Sequence, residues 1–357
     1  MRKLTFISFL QVSILFLFVS CEDYYKPELE VVPGLLVVES HVTNDPSQNF
    51  VRLFKTDDFY NTNTTEKVIG AKVDLIEIGG QITRAVENST GYFTFQKTLI
   101  PGKKYVLRVS YQKDIYESDQ VTMPPIPQID SLYTIHQVQQ SYRTNAYGVP
   151  EEVLTPGRKI AIDAPITSAL QYYRFSWKAV IEWVYYPPAV MAPPPPYFGW
   201  ITKYDKGLFN IAGSKEFSVS TQVKNHPILS LAYDSELYLD SAKQIAMGWI
   251  LIIDQYGISR ESYKFHDKLN KQFSADGSLF DPLLTQVYGN MRCKNDASKI
   301  ALGFFDLNSY RQYRYYLNLG TNENSKGIQR RLNRYLPIPS AGYVRENPPE
   351  FWENYYK

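Results

Sequence analysis

Cysteine is almost missing from this chain: Cys21 and Cys293 are the only two in 357 residues. Cys21 lies at the end of an N-terminal leader, so Cys293 is left alone and a disulfide framework is excluded. Histidine is equally scarce. His41, His136, His226 and His266 lie far apart, and none stands in the H-E-x-x-H spacing that a zinc hydrolase helix requires. A G-x-S-x-G nucleophile elbow, a glycine-rich phosphate loop and an acidic calcium loop are also missing. Paired carboxylates for glycoside hydrolysis can come from any two strands, so sequence alone leaves them open. Surplus charge is small, at a formal +2, and nothing points to nucleic acid or an acidic polymer as a partner. Beyond residue 20 no apolar run is long enough to span a bilayer as a helix. Enzymatic activity has no positive support, and no cofactor or metal is implied.

The N-terminus carries the first positive signal. Arg2 and Lys3 precede an apolar run from Leu4 to Val19, and Ser20-Cys21-Glu22-Asp23 follow. Two early cations, a short apolar stretch and a small residue before the break describe a secretory signal peptide over 1–20. A cysteine at that break resembles a bacterial lipobox, whose thiol is acylated and becomes the first residue of the mature protein. Glu22-Asp23 resembles the export signal by which lipoproteins of Bacteroidota reach the outer face of the outer membrane. The expectation is a lipid-anchored protein of the outer membrane, facing the cell exterior, with residues 21–33 as a tether.

Aromatic residues are abundant, with 29 Tyr, 19 Phe and 5 Trp beside 22 Pro, which favours strands and extended loops. Leu36, Val38, Ser40 and Val42 share one strand face, as do Ala71, Val73 and Leu75, and then Tyr105, Leu107, Val109 and Tyr111. Period-2 alternation punctuated by Gly79-Gly80, Thr90-Gly91 and Pro101-Gly102 predicts a β-sandwich over 34–123. Thr90–Val109 resembles the transthyretin-like, carboxypeptidase-regulatory fold. Met123-Pro124-Pro125-Ile126-Pro127 cannot supply ladder hydrogen bonds and reads as a linker over 124–129. A larger β-rich domain is expected over 130–357. It contains a long strand whose aromatic face carries Tyr173, Phe175, Trp177, Ala179, Ile181, Trp183 and Tyr185. Its one good helix is Ser259–Phe273, capped by Ser259, with Phe265, Leu269 and Phe273 four apart on one side. A weaker helix is read at Ile328–Tyr335. The fold class is all-β with one or two short helices.

Two segments could meet a partner. The proline-aromatic stretch 185–200 reads either as a rigid loop presenting Tyr197, Phe198 and Trp200 to a ligand or barrel, or as a loop folded over its own domain. The cluster Arg311, Arg314, Lys326, Arg330, Arg331 and Arg334 reads first as a solvated face and second as a dock for acidic groups.

Several stretches together resemble a lipoprotein family of Bacteroidota known as domain of unknown function 4249. They are Leu35-Leu36-Val37-Val38-Glu39-Ser40-His41-Val42-Thr43-Asn44-Asp45, Ile69-Gly70-Ala71-Lys72-Val73 and the Met123–Leu132 hinge. Ser259-Arg260-Glu261-Ser262-Tyr263, Val287-Tyr288-Gly289-Asn290-Met291, Leu302-Gly303-Phe304-Phe305 and Pro348-Pro349-Glu350-Phe351-Trp352 follow in order. The resemblance implies no catalytic residues. It implies an accessory role beside a TonB-dependent receptor barrel in substrate capture or uptake, with a small molecule, glycan or peptide all open as ligand. An adhesion or envelope-assembly module without a transport role is the alternative.

Overall fold

A computed structural model describes residues 34–56, 66–185, 197–214, 221–232, 244–274 and 287–318. The signal peptide read at 1–20, Cys21, Glu22, Asp23, the tether read at 21–33 and the helix read at Ile328–Tyr335 lie outside the described residues. Within them the fold is all-β with a single longer helix.

The first unit is a sandwich. Its strands are β1 (Leu36–His41), β2 (Phe50–Lys55), β3 (Lys72–Glu77), β4 (Ile82–Arg84), β5 (Val86–Ser89), β6 (Tyr92–Thr94), β7 (Lys104–Tyr111), β8 (Asp114–Ser118) and β9 (Val121–Thr122). Alternation places Leu36, Val38, Val51, Leu53 and Phe93 from one sheet against Val73, Leu75, Tyr105, Leu107 and Val109 from the other, all buried in one core. Asp74, on the opposite face from Val73 and Leu75, is also buried and bound by Arg84 at 2.7 Å.

The second unit holds two further sheets. One contains β10 (Ser131–Thr144), β11 (Pro150–Pro165) and β15 (Gln222–Ala232), in that order. The other centres on β12 (Tyr172–Tyr185), flanked on one edge by β13 (Tyr197–Tyr204) and β14 (Asn210–Gly213). On its other edge lies β16 (Gln244–Ile258), followed by β19 (Ser309–Asn318). Tyr173, Phe175, Ala179 and Ile181 point into a core shared with Ile160, Ile162, Leu251 and Ile253. From Tyr173 to Ile181 the aromatic strand face read from sequence is thus an interior face.

The chain does not stay in the second unit. After helix α1 (Arg260–Phe273) it returns as β17 (Met291–Cys293), paired to β8, and β18 (Ala301–Phe304), paired in parallel to β1. Each return strand adds an edge to one sheet of the first sandwich, whose core also takes Met291, Ala301, Phe305 and Leu307. The expected division into 34–123 and 130–357 therefore needs correction, because residues 291–307 pack with the first unit. Prolines mark where a chain leaves a domain; they carry no information on whether it comes back.

Gly303 makes the parallel pairing feasible. Its φ is +90° and a Cβ there would sit 2.0 Å from the Val38 carbonyl oxygen, so only glycine fits. Two asparagines then clasp the return segment as a strand would. Asn290 bonds both the N–H and C=O of Phe305, and Asn44 does the same for Tyr310. Ser40 Oγ donates to Phe304 O and accepts from Asp306 N.

Candidate functional site

Where the two units meet, the outward face of β1, β2 and β6 lies beneath α1, and a cleft of about 880 Å³ opens between them. That size falls within the roughly 300–1,000 Å³ of ordinary small-molecule sites. The floor comes from alternation: with Leu36, Val38 and Val51 committed to the core, Val37, Glu39, His41 and Phe50 must face outward. The helix supplies the other wall. Ser259 caps it by accepting from Ser262 N at 3.0 Å, and the four-residue spacing turns Phe265, Leu269 and Phe273 onto the cleft. Phe265 stacks on Phe304 with centroids 4.6 Å apart, and Phe209 lies 4.5 Å from the His266 ring.

At the inner end sits a buried charged group drawn from four distant parts of the chain. Arg174 on β12 lies 3.4 Å from Asp306 on the return segment, and its guanidinium covers the Tyr256 ring at 4.4 Å. Arg174 Nη2 meets His41 Nδ1 at 3.2 Å. A guanidinium can only donate, so Nδ1 is the acceptor and His41 carries its proton on Nε2. That Nε2 is fully buried and has no hydrogen-bond partner among the described residues. Burial, then the neighbouring Arg174 charge, push His41 down from 6.5 to about 3, so it is neutral at physiological pH. Burial pushes the Asp306 carboxyl up, but Arg174 leads the opposing influences and the net direction is down; the carboxylate stays ionised. His266 is lowered, chiefly by burial, although Asp306 pulls the other way.

Ser262, His266 and Asp306 meet here, but not as a catalytic triad. Ser262 Oγ donates to Asp306 Oδ1 at 2.6 Å, and His266 Nδ1 donates to the Ser262 carbonyl at 2.8 Å. His266 Nε2 faces Asp306 Oδ2 at 3.9 Å. The hydroxyl proton points at the carboxylate, and His266 Nδ1, 3.4 Å from Ser262 Oγ, carries its own proton towards the Ser262 carbonyl and cannot accept another; the contacts tie the helix to the return segment. Among the described residues no three His, Cys, Asp or Glu side chains gather in a way that could hold a metal ion.

The residues singled out from sequence lie elsewhere. Trp200 is 2% exposed and packs with Val180, Ile250 and Ile252, further along β12 from Arg174 and on the face opposite the Tyr173–Ile181 core. It cannot present itself to a ligand as a loop residue, because Tyr197–Tyr204 forms a strand on β12 and leaves Trp200 opposite Glu182. Tyr197 and Phe198 begin that strand, and their side chains, like residues 186–196, lie outside the described residues. Arg311 and Arg314 are exposed on β19; the other members of the basic cluster are outside the described residues. Cys293 is half-buried against the first core with Sγ near Asn295 Oδ1 at 3.2 Å. Sequence reasoning missed Arg174, Asp306 and Ser262. No spacing rule links positions 41, 174, 262 and 306; only the return of the chain brings them together.

Fold and cleft together define an all-β protein of two packed units with a helix-roofed groove between them. The family described as Domain of unknown function (DUF4249) matches residues 22–314, and the chain belongs to it. No curated protein and no solved structure matches the chain.

Proposed function

We propose that this protein is a non-enzymatic capture lipoprotein of the outer membrane, anchored through Cys21, exported by Glu22-Asp23 and serving a TonB-dependent receptor barrel. The observation that carries the reading is the cleft between β1, β2, β6 and α1. It is large enough for a small ligand, yet its inner ionisable groups are paired with one another. A site arranged for chemistry would leave a base or nucleophile uncommitted. Here Asp306, Ser262 and His266 are committed to holding two units and a helix in register. No helix among the described residues is long and apolar enough to cross a membrane, which accords with a lipid as the means of attachment.

The alternative is an adhesion or envelope-assembly lipoprotein that grips another surface protein and takes no part in transport. A chromosomal Phe50→Ala/Tyr92→Ala variant separates the two. Growth is followed on a panel of nutrients, each supplied at limiting concentration, with the surface amount of the variant matched to wild type. Capture predicts slower growth on at least one nutrient. Normal growth on all of them contradicts the capture role and favours the alternative.

A further inference from the structure

The floor of the cleft constrains what can lie in it. β1 is flanked by β18 and β2, β2 by β1 and β6, and β6 by β2 and β5. Every floor strand has ladder partners on both sides, so its backbone N–H and C=O groups are already engaged. A ligand resting there meets side chains only. That argues against an extended peptide, which is ordinarily read by pairing with a free sheet edge.

Those side chains are of two kinds. Phe50 and Tyr92, on neighbouring strands, hold their rings nearly parallel, 14° apart in plane with centroids 5.6 Å apart. Beside them the cleft is lined by Gln48, Asn88 and Gln96. An amide donates and accepts at once, as a hydroxyl does. Asn88 Nδ2 donates to Thr94 Oγ1 at 2.9 Å, and its carbonyl oxygen keeps acceptor capacity. Charge is balanced from within: Glu39 faces Arg52 at 3.1 Å and Arg174 faces Asp306 at 3.4 Å. With these charges met inside the protein, the lining favours a neutral ligand over an ion.

A ring with an apolar C–H face and a rim of hydroxyls matches parallel aromatics surrounded by neutral amides. From this geometry we infer that the cleft binds a neutral oligosaccharide. One sugar ring lies against Phe50 and Tyr92, and its hydroxyls bond to Gln48, Asn88 and Gln96. Phe265 and Leu269 cover it from the helix side. The inference rests on the capture reading and specifies the class of ligand.

The test is isothermal titration of the full mature chain with neutral di-, tri- and tetrasaccharides of glucose, xylose, mannose and galactose. An oligouronate and a neutral tripeptide serve as contrasting probes. At least one neutral saccharide should bind. Tyr92→Ala should weaken it by about tenfold or more, the loss of roughly 1.4 kcal/mol expected for a stacking contact. Asn88→Ala, exposed and conservative for folding, should weaken it several-fold with an unchanged melting temperature. Tyr147→Ala, on the distant hairpin, should leave affinity untouched. Failure of every neutral saccharide to bind, or binding that survives both cleft variants, overturns the inference. Tripeptide binding with the same Tyr92 dependence overturns the saccharide class while leaving capture at this cleft in place.

Discussion

Arg174 on β12 and Asp306 on the return segment face each other at 3.4 Å, and through this pair the second unit grips the first. Both side chains are largely buried, so each depends on the other for its charge to be tolerable. Asp306→Asn leaves the guanidinium beneath the helix without its counter-ion and should cost about 3–5 kcal/mol of stability. Adding Arg174→Met should recover part of that loss, because the stranded charge is then gone. Chemical denaturation of the two single variants and the double variant measures the coupling directly.

Acid should weaken the same junction. His41 titrates near 3 in the folded chain, against 6.5 when unfolded. Its folded value is depressed, so its contribution is complete above pH 6.5 and declines as pH falls towards 3. Asp306, also lowered, adds a loss in the same direction below its ordinary value of 3.8. Over that window unfolding free energy should fall by about 1.4 kcal/mol per pH unit for each such proton. His226, half-buried and lowered by that burial to about 4, contributes alongside. Denaturation curves at stepped pH should be flatter for His41→Gln than for wild type.

Glycine substitutions should separate strain from crowding. A Cβ on Gly289 would come 1.4 Å from the Gly303 carbonyl oxygen, whereas Gly148 has φ +78° with nothing within 4 Å. Gly148→Ala meets only the unfavourable backbone region and should cost about 1 kcal/mol. Gly289→Ala and Gly303→Ala must displace a strand and should lower the melting temperature several times further. Thermal melts of the three variants rank them.

Trp200→Ala should behave as a core deletion, costing about 3–5 kcal/mol, with ligand affinity at the cleft unchanged. By contrast Tyr147 is 91% exposed at the tip of the β10–β11 hairpin, and Tyr147→Ser should change stability by no more than about 0.5 kcal/mol.

Much of this architecture was readable from the residues because it depends on local pattern. Alternation alone separates Leu36, Val38 and Ser40 from Val37, Glu39 and His41, and the capping serine with four-residue apolar spacing locates α1. The Met123–Pro127 hinge marks where the chain leaves the first sandwich. What sequence could not convey is long-range. The Gly289-Asn290 and Gly303-Phe304 stretches look like ordinary turn and strand; their purpose, a return into the first unit, depends on contacts with Val38, Ser40 and Asn44. Trp200 reads from sequence either as part of a presented loop or as part of a segment folded over its own domain, because composition does not reveal the pairing with β12 that buries its ring. Arg174 gives no signal in a strand that also carries Lys178 and Glu182 on the same face.

The capture proposal places the protein in an outer membrane beside a receptor barrel, and its companions there test it most directly. A tagged, chromosomally expressed copy is purified from gently solubilised outer membranes and its companions are identified by mass spectrometry. The account predicts a TonB-dependent receptor barrel in stoichiometric amount. Recovery of the protein alone, or with adhesins or assembly factors in place of a barrel, would contradict it.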